Sequence, residues 1–232
     1  MTPRSVWAAG VATVLLCPLW LTASDLDSAR DAQDRGRLDQ FANQSRAAAE
    51  KQPQSAEAQY QSALAQSYLA EVAIEVGDKN QARAAAETGI KVAEKAVALK
   101  PESAEYHRLL GTLCGQVIPA NVLAGLKWGK CAQDEVAKAV QLDPKSSMNY
   151  VSRGVGNYYL PSGLGGGVEL AIKDFQKAAE LDPKSAEAQL WLGIALRKAN
   201  RNVEARKALQ KSVELNPSRA WAKQQLAKTP AS

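Results

Sequence analysis

From residue 25 onward the chain reads as a series of helical runs, with Lys and Arg interleaved among Glu and Asp along each. That is the pattern of helices with one packed face and one solvated face. One stretch departs from it. Val6 to Leu21 carries no charge; Arg4 precedes it and the small residues Thr22, Ala23 and Ser24 follow. Such an order of basic start, apolar run and small residues is that of a secretory signal peptide. The run is shorter than the ~20 residues a membrane-spanning helix requires. Cleavage is expected near Ser24, leaving a periplasmic or secreted bacterial protein; the alternative is an uncleaved leader acting as an inner-membrane anchor. Cys17 follows Leu15 and Leu16. Lipoprotein processing needs small residues there, so lipidation is not expected.

The helical runs are punctuated by Pro53, Pro101, Pro144, Pro183 and Pro217. The local strings are alike: Leu99-Lys100-Pro101-Glu102-Ser103, Leu142-Asp143-Pro144-Lys145-Ser146, Leu181-Asp182-Pro183-Lys184-Ser185 and Leu215-Asn216-Pro217-Ser218. Proline cannot continue a helix interior, and the residue before it avoids the α region. It does fit at the start of a new helix. Each string therefore predicts a helix end, a tight turn and a helix start. A unit repeated at such a period predicts a solenoid.

The last interval, Pro183 to Pro217, has the 34-residue period of one family. With Ala186 as position 1, Leu192 falls at 7, Gly193 at 8, Leu196 at 11, Ala205 at 20, Leu209 at 24, Ser212 at 27 and Pro217 at 32. This unit resembles the tetratricopeptide repeat, a pair of antiparallel helices with small residues at 8, 20 and 27 and large ones between. Position 4, usually Trp, is Gln189. The preceding units fit with insertions. Gly154, Ala171, Phe175 and Ala178 take positions 8, 20, 24 and 27 of the fourth, whose extra residues fall in the turn Pro161 to Gly167. Gly111, Ala132, Val136 and Ala139 take them in the third, with an insertion around Pro119. In the second unit Ala63 fits 8 and Ala96 fits 27, and both helices are expected to be two turns taller. Phe41, Ser45 and Ala48 belong to a first unit with a short leading helix.

The resemblance implies an all-α, right-handed superhelical solenoid of antiparallel helix pairs. Its parts are a leader over 1–24, a partial repeat over 25–55, a tall repeat over 56–103, repeats with insertions over 104–146 and 147–185, a standard repeat over 186–219, and a solvating cap and tail over 220–232. Together they predict an elongated stack in which neighbours bury one another's faces.

Composition agrees. The chain has 232 residues, and its 42 Ala stand against two Phe, two Met and one His. Ala favours helices, and strands prefer β-branched and aromatic residues, so an all-β fold is excluded. The hydrophobic content of 46% excludes a disordered chain. A net charge of +5, dispersed along the helices, gives no reason to expect a nucleic-acid partner.

By the family's pattern, positions 2, 5, 9, 12 and 13 of each leading helix face the concave groove. The resemblance thereby implies a partner-binding groove of Tyr60, Leu64 and Tyr68, then Arg108 with Thr112 and Gln116. Val151, Val155, Tyr158 and Tyr159 follow, then Leu190, Ile194, Arg197 and Lys198. Such a mix suits a peptide with apolar anchors and an acidic group. The opposing reading has Val151, Tyr158 and Leu190 simply packing against neighbouring helices. The family's carboxylate clamp is not expected, because Thr112 stands where Asn belongs and clear Lys positions are missing.

Other candidate chemistry is sparse. Gly163 to Gly167 precede a helix start, but Val168-Glu169 follows where a phosphate loop needs Lys and Ser or Thr. A Pro and Gly-Gly insertion at this turn resembles exported bacterial repeat proteins, including periplasmic subunits that accompany TRAP-type solute transporters. Cys114 and Cys131 form either a bridge, worth roughly 3 kcal/mol for such a loop, or two separately buried small hydrophobes. His107 sits at a packing position. No catalytic residues, cofactor or metal are expected. The expected function is a non-enzymatic scaffold or assembly adaptor in the bacterial envelope, monomeric or weakly oligomeric, binding a protein or peptide partner. The alternative is an accessory component of a solute transport system that binds a small ligand or a substrate-binding protein. Membrane contact is expected only through an uncleaved leader.

Overall fold

The computed structural model describes residues 23–118 and 123–231. All but the last two positions of the expected leader, Cys17 included, lie outside the described residues, as does Pro119.

The described residues form eleven α-helices in five pairs and a cap. The pairs are α1 (Ala23–Asp31) with α2 (Arg35–Lys51), α3 (Ala56–Val76) with α4 (Lys79–Leu99), α5 (Ala104–Val117) with α6 (Ala124–Leu142), α7 (Ser147–Tyr159) with α8 (Val168–Leu181), and α9 (Ala186–Lys198) with α10 (Asn202–Leu215). The cap is α11 (Ala220–Ala227). The fold is all-α, a solenoid of helix pairs. Helices α3 and α4 are each 21 residues long, against 13 and 14 in α9 and α10.

The turn strings work through their serines. Ser55, Ser103, Ser146 and Ser185 each stand two residues after the proline and accept the N–H of the residue three further on. They are N-caps, satisfying donors that the first helical turn leaves free.

Within each pair, packing is a matter of size. A Cβ on Gly154 would sit 2.5 Å from the Phe175 ring, one on Gly193 2.5 Å from Leu209, and one on Gly111 2.7 Å from Val136. Glycine at position 8 lets the leading helix seat against the large residue at position 24. Buried alanines such as Ala139, Ala171, Ala178 and Ala205 line the same seams. In the third pair the structure also joins Cys114 and Cys131, with Cα atoms 6.0 Å apart.

The stack differs from its expected shape in one respect: its ends meet. The Asn216 amide donates to Asp31 at 2.7 Å and Gln224 donates to Gln33 at 2.9 Å. Arg219, 1% exposed, donates to Glu71 at 2.6 Å and forks onto Glu75, with one arm at 3.1 Å. The cap is therefore not solvating. Ala222, Gln225 and Thr229 are buried as well. The solenoid is a closed ring rather than an elongated stack, because α11 and the turn before it dock on the first two units.

Candidate functional site

The meeting of the ends leaves a half-open pocket of about 460 Å³ on the concave face. Tyr60, Leu64 and Tyr68 line it from α3, spaced by four residues so that they share one helix face. Asp27 and Arg30 come from α1, Glu105 and Arg108 from α5, Met148 from α7, Glu187 from α9 and Asn216 from the last turn.

The wall charges are paired with one another. Arg108 forks onto Glu105 at 2.7 and 2.5 Å, and the Tyr60 hydroxyl donates to the same carboxylate at 2.9 Å. Burial pushes the Glu105 carboxyl up, but the hydrogen bonds and charge of Arg108 prevail and hold it below its ordinary range. The Tyr68 hydroxyl donates to Asp27 at 2.8 Å, with the Arg30 guanidinium 4.8 Å over its ring. Burial raises both phenols above the ordinary tyrosine value, so they stay protonated donors. Tyr60 also stacks on Tyr106 at 4.9 Å. Leading helices are cross-linked by polar contacts: Gln116 donates to the Ser67 carbonyl, and the Thr112 and Ser152 hydroxyls lie 3.2 Å apart.

Behind the wall lies the ionic cluster that closes the ring. Arg219 and Arg30 face Asp31, Glu71, Glu75 and Glu187, two guanidinium groups among four carboxyl groups. Gln33 donates to Glu75 at 2.7 Å. Burial pushes the Glu71 carboxyl up to about 7 against the pull of Arg219 and Arg30, and it raises Glu75 in the same sense.

The residues expected in the groove divide into groups. Tyr60, Leu64, Tyr68 and Arg108 line the cavity. Val151, Leu190 and Ile194, each at most 4% exposed, are core residues: Val151 packs with Phe175 and Ala195 among others, and Leu190 and Ile194 are covered by Ala222, Trp221 and Leu226 of the cap. Val155 is half-buried against the same core. Tyr158 packs edge-on against Trp191, and Tyr159 is exposed. Arg197 braces the cap, donating to Gln225 and Thr229, so it offers no free cation. Lys198 donates to the Tyr158 carbonyl at 2.8 Å. An acidic anchor is also poorly served, since Arg30 and Arg108 already hold carboxylates.

Sequence reasoning misses Glu105, Met148 and Glu187, all at position 2, which the family's pattern places on the groove. It misses Arg219 too, although a signal was present: the slot two residues after the proline, serine in the four earlier turns, holds arginine. That arginine makes no cap hydrogen bond and turns into the acidic cluster.

The remaining motifs are occupied by structure. Gly165, Gly166 and Gly167 donate their N–H groups to Ser162, Pro161 and Asn157 carbonyls, so that loop offers no phosphate cradle at those amides. His107 is held between Glu135 at 2.6 Å and the Pro101 carbonyl at 2.8 Å. Among the described residues, no group of His, Cys, Asp and Glu is placed to hold a metal ion, and no helix is long and apolar enough to cross a membrane.

Comparison with known proteins assigns the chain. The family described as "Regulator of microtubule dynamics protein 1-3" matches residues 24–160, more than half of it. The chain belongs to that family. The regulator-of-microtubule-dynamics match ends within the fourth unit, and a tetratricopeptide repeat family match covers residues 165–220. Regulator of microtubule dynamics protein 3 of Mus musculus is 27% identical over 144 residues, 55% of this chain and 31% of that protein. Small glutamine-rich tetratricopeptide repeat-containing protein 2 of Mycosarcoma maydis is 34% identical over 96 residues, 41% of this chain and 26% of its own length. The chain thus aligns with only about a quarter to a third of the curated relatives it matches. A thermophilic TPR protein of Thermus thermophilus shares the fold with a TM-score of 0.61 at 18% identity, covering 86% of this chain and 97% of that one. Neither family match favours the transport-accessory alternative.

Proposed function

We propose that this chain is a non-enzymatic scaffold that holds a protein segment at its inner face. Tetratricopeptide repeats are generally interaction modules, and the family membership supports that general role. The observation that carries the finer reading is the cavity itself. Tyr60, Leu64 and Met148 offer apolar contact, while Asp27, which accepts from Tyr68, and Glu187, which accepts from Trp191 and belongs to the ionic cluster, place carboxyl groups on the wall. A segment with an apolar anchor and a basic residue fits this wall better than an acidic one. The leader-like start of the sequence supports assembly work in the bacterial envelope as the setting.

A photo-crosslinking residue at Leu64 tests the reading. It should trap a partner in cells, whereas the same residue at Lys177 on the outer helix α8 should not. Exclusive trapping at Lys177 would overturn it. Charge reversal at Asp27 should weaken the Leu64 crosslink.

A further inference from the structure

The large apolar side chains exposed among the described residues are not scattered. Val76, Leu123, Leu126, Tyr159, Leu164, Leu170 and Val203 are 42 to 87% exposed, and every one lies where a leading helix hands over to its trailing helix. Leu99, at 37%, alone sits at the other end of its pair. In a stack of antiparallel pairs these handovers share one edge of the solenoid. Contacts between them agree: Arg35 pairs with Asp78 across the first two, and Lys198 reaches the end of α7 from the end of α9. The opposite edge carries the polar proline turns.

From the third to the fifth pair, this edge also carries ammonium groups set over aromatic rings. Lys127 lies 4.4 Å over Trp128, and Lys198 lies 4.0 Å over Tyr158. Lys130 is 83% exposed beside them. Of the neighbouring acids, Glu87 is engaged by Arg83, Glu204 by Arg201 and Asp134 by Lys130, while Glu169 stands exposed. Rings and lysines at the margin of projecting Leu and Val side chains suit the interface of a bilayer, where the apolar tips insert and the amines meet anionic headgroups.

We propose that the handover edge of the last three pairs is a docking surface for an anionic lipid bilayer. Leu123 borders a small pocket of about 200 Å³ with Lys127 and Trp128, while Leu126, Leu164, Leu170 and Val203 project from separate turns and helix starts, an arrangement that favours a fluid surface over a single protein anchor. A symmetric second copy would bring two lysine-bearing edges together, and on the opposite edge Leu99 alone is a large exposed apolar side chain among the described residues. The surface is separate from the inner face, so the two readings stand or fall independently.

Co-sedimentation of the full chain with lipid vesicles tests this. The protein should pellet with phosphatidylcholine vesicles containing phosphatidylglycerol, and far less with phosphatidylcholine alone. Leu126→Asp with Leu164→Asp should abolish the anionic binding. Lys127→Ala and Lys198→Ala should each lower it about fivefold. The leader is identical in all variants, so their differences report on the edge; the leucine and Lys127 variants should keep the melting temperature, and Lys198→Ala, which loses its bond to the Tyr158 carbonyl, is compared at a temperature where its melting curve shows it folded. Equal binding by the variants, or equal binding to neutral vesicles, would overturn the proposal. So would a failure to pellet with anionic vesicles, or a dimer in sedimentation velocity that the leucine variant abolishes.

Discussion

The seam inside each helix pair and the junction that closes the ring are built from opposite materials. In the seam, glycine faces a large side chain: Gly154 meets Phe175 and Gly193 meets Leu209. In the junction, one arginine with 1% exposure faces Glu75 at 1%, with Glu71, Asp31 and Glu187 around it. The seam works by shape and recurs in pair after pair. The junction works by charge and occurs once. Shape complementarity tolerates small rearrangement, whereas a buried charge that loses its partner has no cheap alternative.

The sharpest way to break that contrast is Arg219→Ala. It strands Glu75 and Glu71 in the interior and should cost about 3–5 kcal/mol. Denaturant unfolding should show that loss, and a spin-label pair on α2 and α11 should report a wider, broader distance. Gly154→Val should cost about 1–3 kcal/mol by overpacking against Phe175, with the label distance kept. A seam variant that opens the ring, or a junction variant that does not, would erase the distinction.

Protonation probes the junction more gently. The folded-state value of Glu71 is raised from 4.5 to about 7. Between those values the folded protein binds a proton that the unfolded chain releases, so this group's contribution falls as pH rises through that window. The melting temperature should therefore decline on this account toward pH 7, and Glu71→Gln should flatten the decline. Ser185→Ala removes an N-cap and should cost about 1 kcal/mol, with no effect on the label distance or on the pH dependence.

The same contrast explains what the sequence makes legible. Repeated constraints leave a period, so the proline strings and the small residues at 8, 20 and 27 reveal the fold class and the repeat family. The inner face is only partly legible. Transferring positions from an open solenoid assumes that face stays free, which holds for Tyr60, Leu64, Tyr68 and Arg108 but not for Leu190 and Ile194, which are buried. Closure brings together residues up to 191 positions apart, and no local period records such a meeting. Only the arginine in a serine slot marks it.

Closure also bears on the order in which the molecule assembles. Contacts within a pair link near neighbours along the chain, and such contacts form early and fast. The Arg219 contacts to α3 span 144 to 148 residues and bring together the second pair and the cap. They can form only once the intervening pairs have set the curvature. In an open stack each end frays on its own. Here Asn216, Arg219 and Gln224 tie the first two pairs to the cap, so neither end of the described stack can fray without giving up contacts held by the other.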